Sequence, residues 1–315
     1  MFELLRCPDN ESWLEARTLG VGGSDVAAIM GLSPYRSAYE VWAEKTGLAQ
    51  APDLSGRESV QWGNILEPVV GDHYRGLHPE REVRRVNALC RSLSRPWAQA
   101  SLDYEVRDPE MGWGVLEIKT VGLRRASDWE AGVPIYYQTQ IAHYMGVTGR
   151  PFADVAVLVG GQEYREYRVV RDEGDVEAVR AAVDSFWHAN VEGGVAPDPS
   201  GSAGDSRALL AAHPEPGEVE QALSCDVPEL SEWLEAREAE ERAKERLSAA
   251  TARLKGRIGD AGGIETERGC VKWLRGEAAK LDTARLKAEQ PDLYKRYTKQ
   301  SARDGGLRWS PRKDS

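Results

Sequence analysis

Three residues at short spacing could carry chemistry in this chain: Asp103, Glu117 and Lys119. Glu117 and Lys119 stand two apart in VLEIKT, a strand-like run, so they share one face while Ile118 turns toward the core. Asp103 lies in ASLDYEV, a second strand-like run, and pairing of the two strands would set it beside Glu117. Two carboxylates and one ammonium at a sheet end suit phosphodiester hydrolysis. A hard divalent cation such as Mg²⁺ or Mn²⁺ is held by one or two carboxylates plus substrate phosphate. It lowers the pKa of a bound water and neutralises charge on the phosphate, and a neighbouring ammonium stabilises the transition state. Without a cation, the two carboxylates repel and at least one pKa rises. The pattern D-x(n)-E-x-K is common by itself, and an exposed hairpin with an ordinary ion pair is the competing reading.

Elements that would position these residues can be read from periodicity. A helix capped by Ser12 runs up to Gly20, and a second opens at Ser24 and ends by Gly31 and Pro34. Helices follow at 37–45 and around 67–74, with polar loop at 48–59. Strands are expected at 100–106 and 113–120, joined across Asp108-Pro109-Glu110, a turn sequence. A helix is expected at 134–145, strands at 153–159 and 163–170, and an amphipathic helix at 176–191. Residues 192–206, rich in Gly, Pro, Ser and Asp, read as linker or long loop. A charged helix at 229–255 could form a short coiled-coil arm. The order suggests an α/β core around a mixed sheet. The expected organisation is a domain at 1–191, a linker region at 192–228, and a charged helix with basic extension at 229–315.

Composition narrows the classes. The chain has 315 residues, 41% hydrophobic and 29% charged, and no apolar run of about 18 residues, so a membrane span is not expected. The N-terminus lacks the features of a secretory signal, and a cytoplasmic location is the default expectation. Four scattered cysteines without a CxxC pair argue against a zinc site or disulfide framework. The five histidines show no ligand spacing, and Gly20, Gly22 and Gly23 are not followed by the GK[ST] of a phosphate loop. The ten tryptophans read mostly as core. Net charge is −10, yet from Arg268 onward 13 basic residues face 6 acidic ones. In that tail Lys295, Arg296 and Lys299 are interleaved with Tyr294 and Tyr297, a pattern that suits a nucleic-acid backbone. A solvated helix face is its plain alternative.

Several ordered segments resemble the YqaJ-type viral recombinases, relatives of phage lambda exonuclease in the PD-(D/E)XK nuclease superfamily. They are WLEARTLGVGGSDVAAIMGLSPYRSAYEVWAEKTG, WGNILEP, SLDYEV, LEIKT and YYQTQIAHYMGVTG, with LDTARLKAEQPDLYKRYTKQSARDGGLRW resembling the tail of phage-type nucleases. The resemblance implies a restriction-endonuclease-like core, a mixed central sheet flanked by helices, with a helical and basic C-terminal extension. It implies Asp103 and Glu117 as metal ligands, the Ile118 carbonyl as a third, and Lys119 as the catalytic lysine. Glu67 in WGNILEP matches a helix-borne acid that reaches the metal, directly or through water. Gln140, with Tyr144 four residues on, matches a helical QxxxY-like motif beside the active site, although Gln138 competes for the role. Arg17 and Ser24 match residues that grip a terminal 5′ phosphate. Leu102 stands where the superfamily pattern has Pro, which shapes the turn and binds no metal.

The residues themselves agree in part. Arg17 is a planar fork suited to phosphate. Ser24, after Gly22-Gly23 at a helix start, could face an anion or serve as a plain N-cap. Glu67 before Pro68 reads equally as a first-turn acid favoured by the dipole. The activity implied is 5′-to-3′ digestion of double-stranded DNA, leaving 3′ single strands for a RecT/Beta-type annealing protein. The family precedent is a ring-like homo-trimer. The alternatives are an endonuclease or nickase with the same site, and a non-catalytic DNA-binding protein.

Overall fold

The computed structural model describes residues 1–51, 54–213, 227–276 and 279–298. In chain order the elements are β1 (Phe2–Leu5), α1 (Asn10–Thr18), α2 (Gly23–Ile29), α3 (Ala38–Lys45), α4 (Glu58–Leu77), β2 (Glu82–Arg85), β3 (Leu89–Ser92), β4 (Gln99–Ser101), β5 (Tyr104–Asp108) and β6 (Gly112–Val121). There follow α5 (Ile135–Thr148), β7 (Phe152–Val159), β8 (Glu163–Val170), α6 (Glu173–Ser185), α7 (Ala203–Ala212), α8 (Pro228–Ile258), β9 (Gly263–Thr266), β10 (Gly269–Lys272), α9 (Thr283–Glu289) and α10 (Pro291–Tyr297). The chain divides into two compact units, Met1–Glu215 and Pro216–Ser315.

The first unit is built on a five-stranded mixed sheet in the order β2-β5-β6-β7-β8. Only the β6–β7 pair is parallel. Parallel neighbours need a crossover, and α5 supplies it. Alternation along the strands gives each face its own core. On one face Val115, Val155 and Val157 pack with Ile141, Tyr144 and Met145 of α5. On the other, Leu116, Ile118, Phe152 and Ala156 meet Val70 and Tyr74 of α4. Helices thus flank a mixed central sheet, as expected. α5 is covered again on its outer side by α2 and α6, which explains why nine of its 14 residues are buried. It ends at Gly149, whose φ of 72° supplies the left-handed cap.

A three-stranded antiparallel sheet, β1-β3-β4, stands beside the main one. Sequence periodicity suggests one strand over 100–106, but the chain changes sheets there. β4 ends at Ser101 in the small sheet, and β5 starts at Tyr104 in the large one. Alternation of side chains is alike in both sheets, so periodicity cannot reveal the transfer. The helix around 67–74 is longer than its expected segment: α4 has 20 residues and carries Pro68 inside it. Glu67 is therefore mid-helix, not a first-turn acid, and the proline costs one backbone hydrogen bond within a helix anchored by its buried face. Asp9, not Ser12, caps α1; Ser12 is the reciprocal member of the capping box. The stretch read as a linker from 192 contains α7, which packs on α3. The Ser37 hydroxyl donates to Asp205 of α7, and a Cβ on Gly204 would overlap the Glu40 carboxylate. The compact unit accordingly closes after residue 215 and not at 191. Gly, Pro and Ser mark the loop but not the short helix that follows it.

His143 of α5 is buried, and its Nε2–H donates to the Gln99 carbonyl at 2.9 Å. Burial pushes its pKa down to about 4. Unfolded chains bind a proton there near pH 6.5, so the stabilising contribution is complete above pH 6.5 and is lost as pH falls toward 4. The expected loss is roughly 3 kcal/mol. Denaturant titrations from pH 7 to 4 on wild type and His143→Gln should show a shallower pH slope for the variant. Equal slopes would refute the neutral, buried imidazole.

Candidate active site

The last residue pair of the β5–β6 ladder is Tyr104↔Leu116. Beyond it β5 has ended, and the Ile118 N–H would lack a ladder partner. Asp103 fills that gap: its Oδ2 accepts from Ile118 N at 2.9 Å. The change of sheet at Leu102-Asp103 thus sets a carboxylate at the edge of β6. Glu117 and Lys119 share the α5 face of that strand, and the Lys119 ammonium donates to Glu117 Oε1. Gln140 Nε2 donates to the same oxygen at 2.8 Å and lies 2.7 Å from the Tyr144 hydroxyl. Gln138 points elsewhere, donating to the Val133 carbonyl. The structure therefore brings Gln140 and not Gln138 to the carboxylates. The Lys119 ammonium also stands 4.8 Å from the ring centre of Tyr137.

The electrostatics are those of an anionic pair short of positive charge. Burial, then the charge of Asp103, pushes Glu117 up to about 7, despite Lys119 and Gln140. Burial likewise raises Asp103, against Lys119 and the Ile118 N–H. Burial alone would lower the Lys119 pKa, but Glu117 and Asp103 outweigh it and hold the ammonium charged. Glu67 on α4 is raised by burial and by Asp103, and it pairs with Arg85 at 2.7 Å. One oxygen of the buried Glu117 carboxylate, Oε2, has no hydrogen-bond partner among the described residues. A fully buried acceptor without a donor is costly, and a cation at Oε2 would remove the cost. Among the described residues no group of three or more His, Cys, Asp and Glu side chains is arranged to hold a metal. Two carboxylates with the remaining positions open still fit a Mg²⁺-type ion, which keeps waters and takes phosphate oxygens.

The N-terminus of α2 lies against this site. A Cβ on Gly23 would come within 2.4 Å of the Tyr144 ring and 2.9 Å of Gln140, so glycine is what permits the close crossing of α2 over α5. Arg17 on α1 donates to the Ser24 hydroxyl at 2.9 Å and lies over the Trp13 ring at 4.8 Å. Ser24 is not the cap; Gly22 is, and the Asp25 carboxylate takes its N–H at 3.1 Å. Asp25 is the residue that sequence reasoning missed. Buried at 1% exposure, it bonds Lys45 at 3.0 Å and Arg36 at 3.1 Å. Burial alone would raise its pKa, but Lys45, Arg36 and Arg17 hold it well below the ordinary range. Lys45 also donates to the Arg17 carbonyl at 2.8 Å. Its signal was present in GGSD, a carboxylate three residues after a helix cap.

Among the other candidates, the Ile118 side chain sits in the α4-side core. Lys295 and Arg296 lie on α10 in the second unit, with Arg296 over the Tyr297 ring. Lys299 lies outside the described residues.

Residues 12–151, which carry this site, match the model of the YqaJ-like viral recombinase domain. Over 298 residues the chain is 27% identical to the uncharacterized protein YqaJ of Bacillus subtilis (strain 168), covering 92% of this chain and 91% of that protein. A 63-residue stretch is 40% identical to protein D345L of African swine fever virus (strain Badajoz 1971 Vero-adapted), 20% of this chain and 18% of that one. Among solved structures, the alkaline exonuclease LHK-Exo of Laribacter hongkongensis matches with a TM-score of 0.48 and 23% identity, over 59% of this chain and 94% of that one. No helix among the described residues is long and apolar enough to cross a membrane.

Proposed function

We propose that this chain is a Mg²⁺- or Mn²⁺-dependent deoxyribonuclease that digests double-stranded DNA from a 5′ end. The observation that carries the reading is the pair of carboxylates formed by buried Glu117 and half-buried Asp103: Lys119 bonds Glu117 and acts on Asp103 through its charge, and Glu117 Oε2 is left without a donor. A purely DNA-binding protein has no use for like charges set together in this way, since they cost stability. Asp103, Glu117 and the Ile118 carbonyl would hold the metal, and Glu67 would reach it through water. The bound ion supplies charge neutralisation at the phosphate and a water of lowered pKa. Lys119, whose ammonium Glu117 and Asp103 favour in the metal-free fold, would stabilise the negative charge that develops on the scissile group. Gln140 fixes the Glu117 carboxylate, and Tyr144 fixes Gln140. Arg17 and Ser24, beside the free N–H groups of α2, would take the terminal 5′ phosphate. The product would be a 3′ single strand, the form a RecT/Beta-type annealing protein takes up.

End-labelled linear duplexes with and without a 5′ phosphate, together with covalently closed circles, test the reading. Wild type should degrade the phosphorylated linear duplex fastest and leave the circle intact. Arg17→Ala should cut the preference for phosphorylated ends roughly ten- to a hundredfold, the worth of one charge-assisted contact. Equal wild-type rates on both ends would remove the phosphate site, and cleavage of the circle would make the enzyme an endonuclease.

A further inference from the structure

α8 is a 31-residue helix of which only Ile258 is buried. At 1.5 Å per residue it is about 46 Å long. A helix this exposed gains little from packing on the described residues, and helical stability normally comes from such packing. Its sequence nevertheless carries an ordered seam. Leu230, Trp233, Leu247, Leu254 and Ile258 fall on the alternating three- and four-residue spacing of a coiled coil, with polar residues at the middle of the same line. Leu247 is 68% and Leu254 44% exposed.

Charge divides the helix into two halves. Residues 228–241 hold six acidic side chains and one basic, and residues 242–258 hold six basic and one acidic. Acids at the N-terminus and bases at the C-terminus favour any helix through its dipole, but that effect is confined to the first and last turns. Here the segregation spans the whole length. Pairs four residues apart consume part of it near the middle: Arg237–Glu241, Arg242–Glu238 and Lys244–Glu240. Glu229, Glu232 and Glu235 at one end, and Arg246, Arg253, Lys255 and Arg257 at the other, have no salt-bridge partner among the described residues.

We infer that α8 is a self-association arm, which pairs antiparallel with α8 of a second copy of this chain. Antiparallel pairing sets the acidic half of each helix against the basic half of the other. Parallel pairing would oppose like charges along the whole seam. It also sets Leu230 and Trp233 of one copy beside Leu254 and Ile258 of its partner, so that the two apolar ends of the seam close on each other. The result is a two-fold symmetric dimer, independent of the nuclease reading.

The mass of the full-length chain in solution, read by sedimentation equilibrium in low and high salt, tests this. Wild type should be dimeric and dissociate more readily as salt screens the charges. Glu229→Lys/Glu232→Lys/Glu235→Lys and Arg246→Glu/Arg253→Glu/Lys255→Glu should each weaken association roughly ten- to a hundredfold, since every dimer loses both of its end contacts. Two further results separate lost complementarity from lost folding. The two variants mixed should form a 1:1 heterodimer, and the chain carrying all six changes should dimerise again. A wild-type monomer at all concentrations would overturn the inference. So would a trimer indifferent to the substitutions, or variants that stay apart when mixed.

Discussion

Glu117→Gln should abolish Mg²⁺-dependent DNA digestion, lowering the single-turnover rate by about three orders of magnitude or more, while making the metal-free protein more stable at pH 8. The two effects have one cause. In the metal-free fold the Glu117 carboxyl is raised to about 7 by burial and by Asp103. The folded state therefore binds its proton more tightly than the unfolded state does between about pH 4.5 and 7. The sign follows: the penalty for the charged form is absent at low pH, grows as pH rises through that window, and is complete above pH 7. A neutral amide of the same shape escapes it. In EDTA, the Glu117→Gln protein should melt above wild type at pH 8, with the gap closing toward pH 4.5. Calorimetric titration with Mn²⁺ should show the variant's binding lost. A variant that digests at more than about a tenth of the wild-type rate would end the assignment of Glu117 as a ligand. Preserved digestion with a raised melt would leave a repulsive pair that serves no catalysis.

Lys119→Ala should also cripple digestion, by about 10²- to 10⁴-fold, the usual worth of a preorganised charge at a reacting group. Its other signatures are opposite to those of Glu117→Gln. Both carboxylates survive, so Mn²⁺ binding is retained. Removing the Lys119 ammonium leaves buried Glu117 with only the Gln140 amide, and half-buried Asp103 with the Ile118 N–H and the charge of Arg85, so the metal-free variant should melt below wild type at pH 8. Saturating Mn²⁺ should restore much of the difference, because a ligand that binds only the folded state stabilises it by mass action. A variant with wild-type rates would show that the ammonium merely balances charge. A variant with unchanged melts would show that the ion pair is not where the structure puts it.

These two variants also show how far the sequence could be read. Glu117 and Lys119 were legible because strand periodicity is local: residues two apart share a face wherever the strand lies. Gln140 and Tyr144 were legible for the same reason, as one turn of a helix. The choice between Gln138 and Gln140 was not, because both lie on α5 and only its packing against β6 selects the one that meets Glu117. α4 was found in part, since Pro68 suggested a boundary that the buried face of the helix overrides. α7 was missed because its ten residues follow a Gly- and Pro-rich stretch, and its place is fixed by contacts to Ser37 and Glu40 some 160 residues earlier.

By itself the sequence determined the mixed α/β class, the strand that carries Glu117 and Lys119, and the helix that carries Gln140, because hydrophobic period and turn chemistry act over a few residues. Only the tertiary structure decided that the chain changes sheets at Leu102-Asp103, that this break turns Asp103 onto the end of β6, and that Gly23 lets α2 lie against Tyr144. It alone decided that Asp25 gathers Lys45, Arg36 and Arg17 beneath that helix. Each of these depends on groups far apart in the chain meeting in a water-poor interior, where charge and close contact weigh most, and no local pattern encodes which groups those will be.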